Sequence, residues 1–118
     1  MKKNKKIFIF DIDNTICKTK GSNYKNSKPK KKIINLINKL RKNGHIIKIF
    51  TSRYMGRNND NSKFVKKKYH SVVNNQLKSW GLNYDELILG KPSYDFLIDD
   101  KSINPKKFDV IKVLKNYL

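Results

Sequence analysis

Ile7-Phe8-Ile9-Phe10-Asp11-Ile12-Asp13-Asn14-Thr15 is the stretch whose reading decides the fold. Its run of β-branched and aromatic residues predicts a strand buried on both faces. The run ends in two carboxylates spaced i and i+2, with a threonine two positions further on. A strand ending in Asp-x-Asp delivers acids to the carboxyl edge of a sheet, where open α/β folds bind ligands. Acids are scarce in this chain, 9 Asp+Glu against 28 Lys+Arg. Even so, a second tight pair, Asp99 and Asp100, closes another apolar run, Phe96-Leu97-Ile98. Scarce carboxylates gathered at two expected strand ends point to a hard-cation site.

Downstream of the first strand, helix and strand signals alternate, which predicts a parallel α/β sheet. A polar stretch over 18–28 reads as a loop or short flap. Ser27 and Pro29 open a helix over 29–43, with Ile33, Ile34, Ile37 and Leu40 on one stripe and Gly44 after its end. Residues 45–50 predict the second strand, running into Thr51-Ser52-Arg53. After a Gly- and Asn-rich loop over 54–61, Ser62 reads as the N-cap of a helix. Val65, Tyr69, Val72, Val73, Gln76 and Trp80 lie roughly along its inner side. Leu87-Ile88-Leu89 predicts a third strand and Phe96-Leu97-Ile98 a fourth. Pro105 opens a last helix carrying Phe108, Ile111, Leu114 and Tyr117 toward the core. The reading is one α/β domain over residues 1–118, without internal repeats.

Composition narrows the function classes. No apolar run of about 18 residues is present, so no membrane span is expected. The lysine-rich start lacks the apolar core of a signal peptide. The single Cys17 cannot form an internal disulfide, which fits a reducing, cytoplasmic setting. The net charge of +19 suits nucleic acid or anionic phosphorylated substrates. The excess is nearly all lysine, with arginine at 41, 53 and 57, whereas phosphate forks favour arginine. High Asn and Ile content accompanies it, a bias that an AT-rich coding sequence produces without selection for binding. Lys30-Lys31-Lys32 and Lys66-Lys67-Lys68 read as solvated helix faces.

Phosphoryl transfer to a carboxylate splits a hard hydrolysis into two steps. A second carboxylate can protonate the leaving alcohol and then deprotonate the attacking water. Mg²⁺ suits such a site, because it takes oxygen ligands, keeps several waters and uses one or two carboxylates plus substrate phosphate. Arg53 and Arg57 read equally as phosphate-gripping forks or as surface charge. Tyr54 and Tyr94 read as partly buried in the core, with bordering the pocket as the alternative. His45 is expected to start a strand, and His70 to lie on a helix surface.

Four motifs taken in order resemble the haloacid dehalogenase superfamily of phosphohydrolases: Asp11-Ile-Asp13-Asn-Thr15, Thr51 closing its strand, Lys91 in Gly90-Lys91-Pro92, and Asp99-Asp100. The resemblance implies a Rossmann-like core with Asp11 as nucleophile and metal ligand, and Asp13 as general acid/base with its carbonyl on Mg²⁺. It implies Thr51 and Lys91, with Ser52 and Arg53 beside them, on the phosphoryl oxygens, and Asp99 with Asp100 completing the metal shell. The stretches 51–57 and 80–100 are similar to the small capsule-biosynthesis phosphatases of that superfamily. These imply a sugar phosphate or another small phosphorylated polysaccharide precursor as substrate. Helix and strand fill the intervals on either side of Thr51, leaving no room for a cap domain. An open site is therefore expected, with 17–28 and 54–61 as flaps or a second subunit as lid. Two other functions fit the same residues: a nucleic-acid 3′-end phosphatase, and a basic nucleic-acid-binding protein without catalysis.

Overall fold

The computed structural model describes residues 4–118. Its central sheet is built from β1 (Ile7–Phe10), β4 (Ile46–Thr51) and β5 (Glu86–Leu89), in the order β1-β4-β5. Both pairings are parallel. A short antiparallel pair, β2 (Cys17–Lys18) and β3 (Lys28–Pro29), flanks the site. The helices are α1 (Lys31–Lys42), α2 (Ser62–Ser79) and α3 (Val110–Lys115). Among the described residues no helix is long and apolar enough to cross a membrane.

Register explains how the site forms. Phe10 pairs with Ile49, and Thr51 pairs with Leu89. The residues that follow β1, end β4 and follow β5 therefore meet at one carboxyl edge. Those residues are Asp11, Thr51 and Gly90-Lys91. The Lys91 N–H donates to the Thr51 carbonyl (3.1 Å), extending the β4–β5 ladder one step past the strand.

The same register sorts the two sheet faces, since paired residues point the same way in parallel strands. Phe10, Ile47, Ile49, Thr51 and Leu89 are buried, and they pack with Ile33, Ile34, Ile37 and Leu40 of α1 and Val65, Val73 and Leu77 of α2. Burying one such aliphatic side chain contributes about 1.5–3 kcal/mol. On the other face Ile7 and Ile9 are 60% and 61% exposed, and Ile46, Lys48, Phe50 and Ile88 are half-buried. The expectation of a first strand buried on both faces is thus corrected, because β1 is a sheet edge with one covered face.

The α1 and α2 stripes hold in the main, but α1 begins at Lys31, with Pro29 in β3. Phe108 and Tyr117, expected inward on the last helix, are exposed and lie outside α3. Asn61, not Ser62, caps α2, its side chain accepting from the Phe64 N–H (3.1 Å). Gly44 takes φ 98° after α1, the left-handed turn that favours glycine. The last helix begins at Val110 with Asp109 as its cap, five residues beyond Pro105. Val72, expected inward, is exposed.

The fourth strand does not form. Residues 96–98 are irregular, with Phe96 and Ile98 86% and 95% exposed. The connection explains this. A parallel strand needs a crossover of about a dozen residues or more. Only 90–95 separate the end of β5 from Phe96, and the free edge of β1 lies beyond β4.

Candidate active site

Asp11 leaves β1 at the carboxyl edge and folds back on itself, its Oδ1 accepting from the Ile12 N–H (2.8 Å). Its Oδ2 faces Lys91 Nζ at 3.9 Å. Burial pushes the Asp11 carboxyl above its usual range, and the nearby Asp13 charge adds to the effect; Lys91, the Ile12 N–H and Arg53 oppose it. Lys91 is itself buried, its ammonium 4.9 Å from the Tyr94 ring centre and 5.7 Å from that of Phe50. Tyr94 remains exposed at the rim, not partly buried as expected.

The turn after Asp11 sets the direction of Asp13. The Thr15 and Ile16 N–H groups both donate to the Ile12 carbonyl (3.1 and 3.0 Å), and Asn14 takes φ 62°, a conformation asparagine tolerates. Asp13 then meets Arg53. Arg53 Nε donates to Asp13 Oδ1 (3.2 Å) and Oδ2 (3.0 Å), and Nη2 donates to Oδ1 (2.9 Å). Arg53 is 2% exposed. Its Nη1 donates to Gln76 Oε1, its Nη2 donates to Ser27 Oγ (3.2 Å), and its guanidinium lies 4.8 Å from the Tyr24 ring centre. The structure corrects the surface-charge reading of Arg53: it is buried, and its N–H groups meet Asp13, Gln76 and Ser27.

Thr51 is buried, its Oγ1 accepting from the Arg53 N–H (3.1 Å), so its hydroxyl shapes the turn that sends Arg53 inward. Ser52 between them is half-buried. Cys17 is fully buried, and burial pushes its thiol up, which makes it a packing residue and not a nucleophile.

The two expected flaps are stitched together. The Tyr24 and Tyr54 rings meet edge-on at 4.9 Å, Tyr54 stacks on Tyr69 at 3.8 Å, and Arg57 Nη2 donates to the Ser22 carbonyl (3.2 Å). Gln76 Nε2 donates to the Tyr24 carbonyl (2.8 Å). Asp60 ties the second loop to the segment after Lys91, accepting from Ser93 Oγ (2.6 Å) and the Ser93 N–H (3.2 Å).

Asp99 and Asp100 lie in exposed chain. Asp99 Oδ1 accepts from the Lys101 N–H (3.0 Å), a turn-forming contact. Among the described residues no group of three or more His, Cys, Asp and Glu could hold a metal ion. The four-acid shell read from the sequence is not assembled. The Asp11 carboxylate that remains at the edge is an oxygen donor of the kind Mg²⁺ takes where substrate phosphate and water supply the other ligands. Surface recesses lie elsewhere, one beside Phe64, Lys67 and Lys68 and another between Thr15, Ile33 and Phe108.

Thr19, Ser27, Tyr24 and Gln76 enter the site without having been singled out. Gln76 carried a signal: it is a polar residue on the otherwise apolar inner stripe of its helix, and such a group needs a buried partner.

No family model matches the chain, and no curated protein matches it. The crystal structure of an MCSG target from Vibrio cholerae is similar over nearly the whole length. It shares 26% identity, covers 94% of this chain and 97% of its own, and has a TM-score of 0.78. With the parallel three-strand sheet and its flanking helices, that likeness shows a compact α/β fold, consistent with a Rossmann-like arrangement.

Proposed function

We propose that the chain is a phosphomonoester hydrolase of the haloacid dehalogenase type, using Asp11 as nucleophile on a small phosphorylated compound such as a sugar phosphate. The observation that carries the reading is the pairing of a desolvated carboxylate after one strand with a buried ammonium after another, Lys91 Nζ 3.9 Å from Asp11 Oδ2. A half-buried acid held against a buried cation at the carboxyl edge of a parallel sheet is a functional-site arrangement.

In this mechanism an Asp11 oxygen attacks phosphorus, the ester P–O bond breaks, and its electron pair leaves on the alcohol oxygen. Asp13, as general acid, gives that oxygen its proton. Water then attacks the aspartyl-phosphate while Asp13 takes the water proton. The P–O bond to Asp11 breaks, releasing phosphate and restoring both acids. Lys91 offsets charge on the phosphoryl oxygens, a role worth about two to three powers of ten. Mg²⁺, held by Asp11 and the Asp13 carbonyl, would neutralise phosphate charge that the carboxylates otherwise repel. Buried, unpaired Cys17 agrees with a cytoplasmic setting.

A second reading, a nucleic-acid 3′-end phosphatase, is favoured by one observation. None of the three helices carries an Asp or Glu within its bounds, while α1 alone carries Lys31, Lys32, Lys39, Arg41 and Lys42. One screen tests both. Phosphate release with Mg²⁺ is measured on sugar phosphates, small alcohol phosphates and 3′-phosphorylated oligonucleotides, beside Asp11→Asn. Release that Asp11→Asn abolishes is expected. Undiminished release from that variant would refute the covalent route, and salt-sensitive release confined to oligonucleotides would select the second reading.

A further inference from the structure

We propose that Arg53, Thr19 and Ser27 form a positioning frame for Asp13, which occupies one carboxylate oxygen and leaves the other, Oδ2, to handle the proton. This rests on the phosphatase reading above. The hydrogen bonds fix their own direction. Thr19 Oγ1 donates to Asp13 Oδ1 (2.5 Å), so its proton is committed there. The contact between Thr19 Oγ1 and Ser27 Oγ (2.6 Å) must then run from the Ser27 hydroxyl. Ser27 Oγ in turn accepts from Arg53 Nη2 (3.2 Å), and Arg53 closes the ring on Asp13. Oδ1 thus receives Thr19, Arg53 Nε and Nη2, with Cys17 Sγ at 3.7 Å, whereas Oδ2 receives Arg53 Nε alone.

Thr19 follows β2 and Ser27 precedes β3, so the pair clasps the two ends of the loop between these strands. Gln76 holds the same loop through the Tyr24 carbonyl while accepting from Arg53. Order in that loop is therefore wired to the orientation of Asp13. Arg53 is too buried to reach substrate, so it acts through Asp13 and not on the phosphate.

The test is leaving-group dependence. An alkyl phosphate needs a proton on its departing oxygen, and p-nitrophenyl phosphate does not. Arg53→Lys keeps the charge and loses the fork; Ser27→Ala removes one hydroxyl of the ring. Both are compared with wild type on glycerol phosphate and p-nitrophenyl phosphate, with folding checked by circular dichroism. The frame predicts kcat/KM, which reports the steps up to alcohol release, falling about a hundredfold on glycerol phosphate in Arg53→Lys and less than about fivefold on p-nitrophenyl phosphate. Ser27→Ala shows the same selectivity to a smaller degree, and decides the matter should Arg53→Lys not fold. Equal losses of kcat/KM on both esters overturn the frame while leaving the phosphatase reading standing. A wild-type protein inert toward both esters overturns the two together.

Discussion

Lys91 Nζ lies 3.9 Å from Asp11 Oδ2, though the two residues leave different strands separated by β4. The pairing exists because the β1–β4 and β4–β5 registers bring both strand ends to one level, and because the Lys91 backbone continues the ladder onto Thr51. Neither partner is redundant. Burial raises the cost of ionising Asp11, and the Lys91 charge is the largest influence offsetting that cost.

Replacing Lys91 by Gln should lower kcat/KM by about a hundredfold to a thousandfold, the range for losing one preorganised cation on a phosphoryl group. It should also raise the Asp11 pKa further, since Lys91 pulls it down. Ionised Asp11 is the attacking form, so the acid limb of the rate profile should move to higher pH. A profile measured across pH 4–9 that loses height without that displacement would leave Lys91 acting on substrate alone.

Asp11→Asn should stabilise the metal-free fold at neutral pH. The folded carboxyl titrates above its unfolded value of 3.8. The folded state therefore holds the extra proton between those two values, and its stability falls as pH rises through that window. Asparagine carries no such penalty. Urea denaturation in chelator should show Asp11→Asn ahead of wild type at pH 7, with the gap closing below about pH 3. Equal midpoints at pH 7 would mean that the carboxylate is better solvated than its surroundings indicate.

Much of this site is legible in sequence because its parts sit where apolar runs stop. Asp11, Thr51 and Lys91 each follow a β-branched or leucine-rich segment, and parallel register carries such endpoints to a common edge. Two features escaped that logic. Phe96-Leu97-Ile98 has strand composition, but composition says nothing of whether 90–95 can reach around to a free sheet edge. Arg53 stands among 28 cations, and nothing in its local spacing distinguishes a buried fork from a solvated one. Its partners Asp13, Ser27 and Gln76 come from three distant segments, so its role emerges only from tertiary packing.

Ile98→Ser should change stability by less than about 0.5 kcal/mol, as expected for a surface position. The side chain is almost wholly exposed. A residue in a buried strand would cost about 2–5 kcal/mol on comparable truncation. Parallel denaturation of Ile98→Ser and Ile47→Ala separates the two cases, because Ile47 is fully buried in β4. A large loss at Ile98 would show that the segment packs on the sheet in solution.

Gly90→Ala should damage both fold and activity. Gly90 takes φ 89° between β5 and Lys91, a conformation that costs an L-residue about 1–2 kcal/mol. A Cβ there would meet Lys66 Cε at 2.8 Å and Ser62 Cβ at 3.0 Å. The lysine end can swing away, whereas Ser62 opens α2 and cannot yield without moving the helix. The simplest relief rotates the peptide at Gly90, which breaks the Lys91 N–H bond to Thr51 and shifts the ammonium away from Asp11. Loss of about 1–3 kcal/mol on denaturation, together with a kcat deficit approaching that of Lys91→Gln, is the expected result. Wild-type kcat in a destabilised Gly90→Ala would separate the turn from Lys91 placement and show that the ammonium reaches Asp11 by side-chain freedom alone.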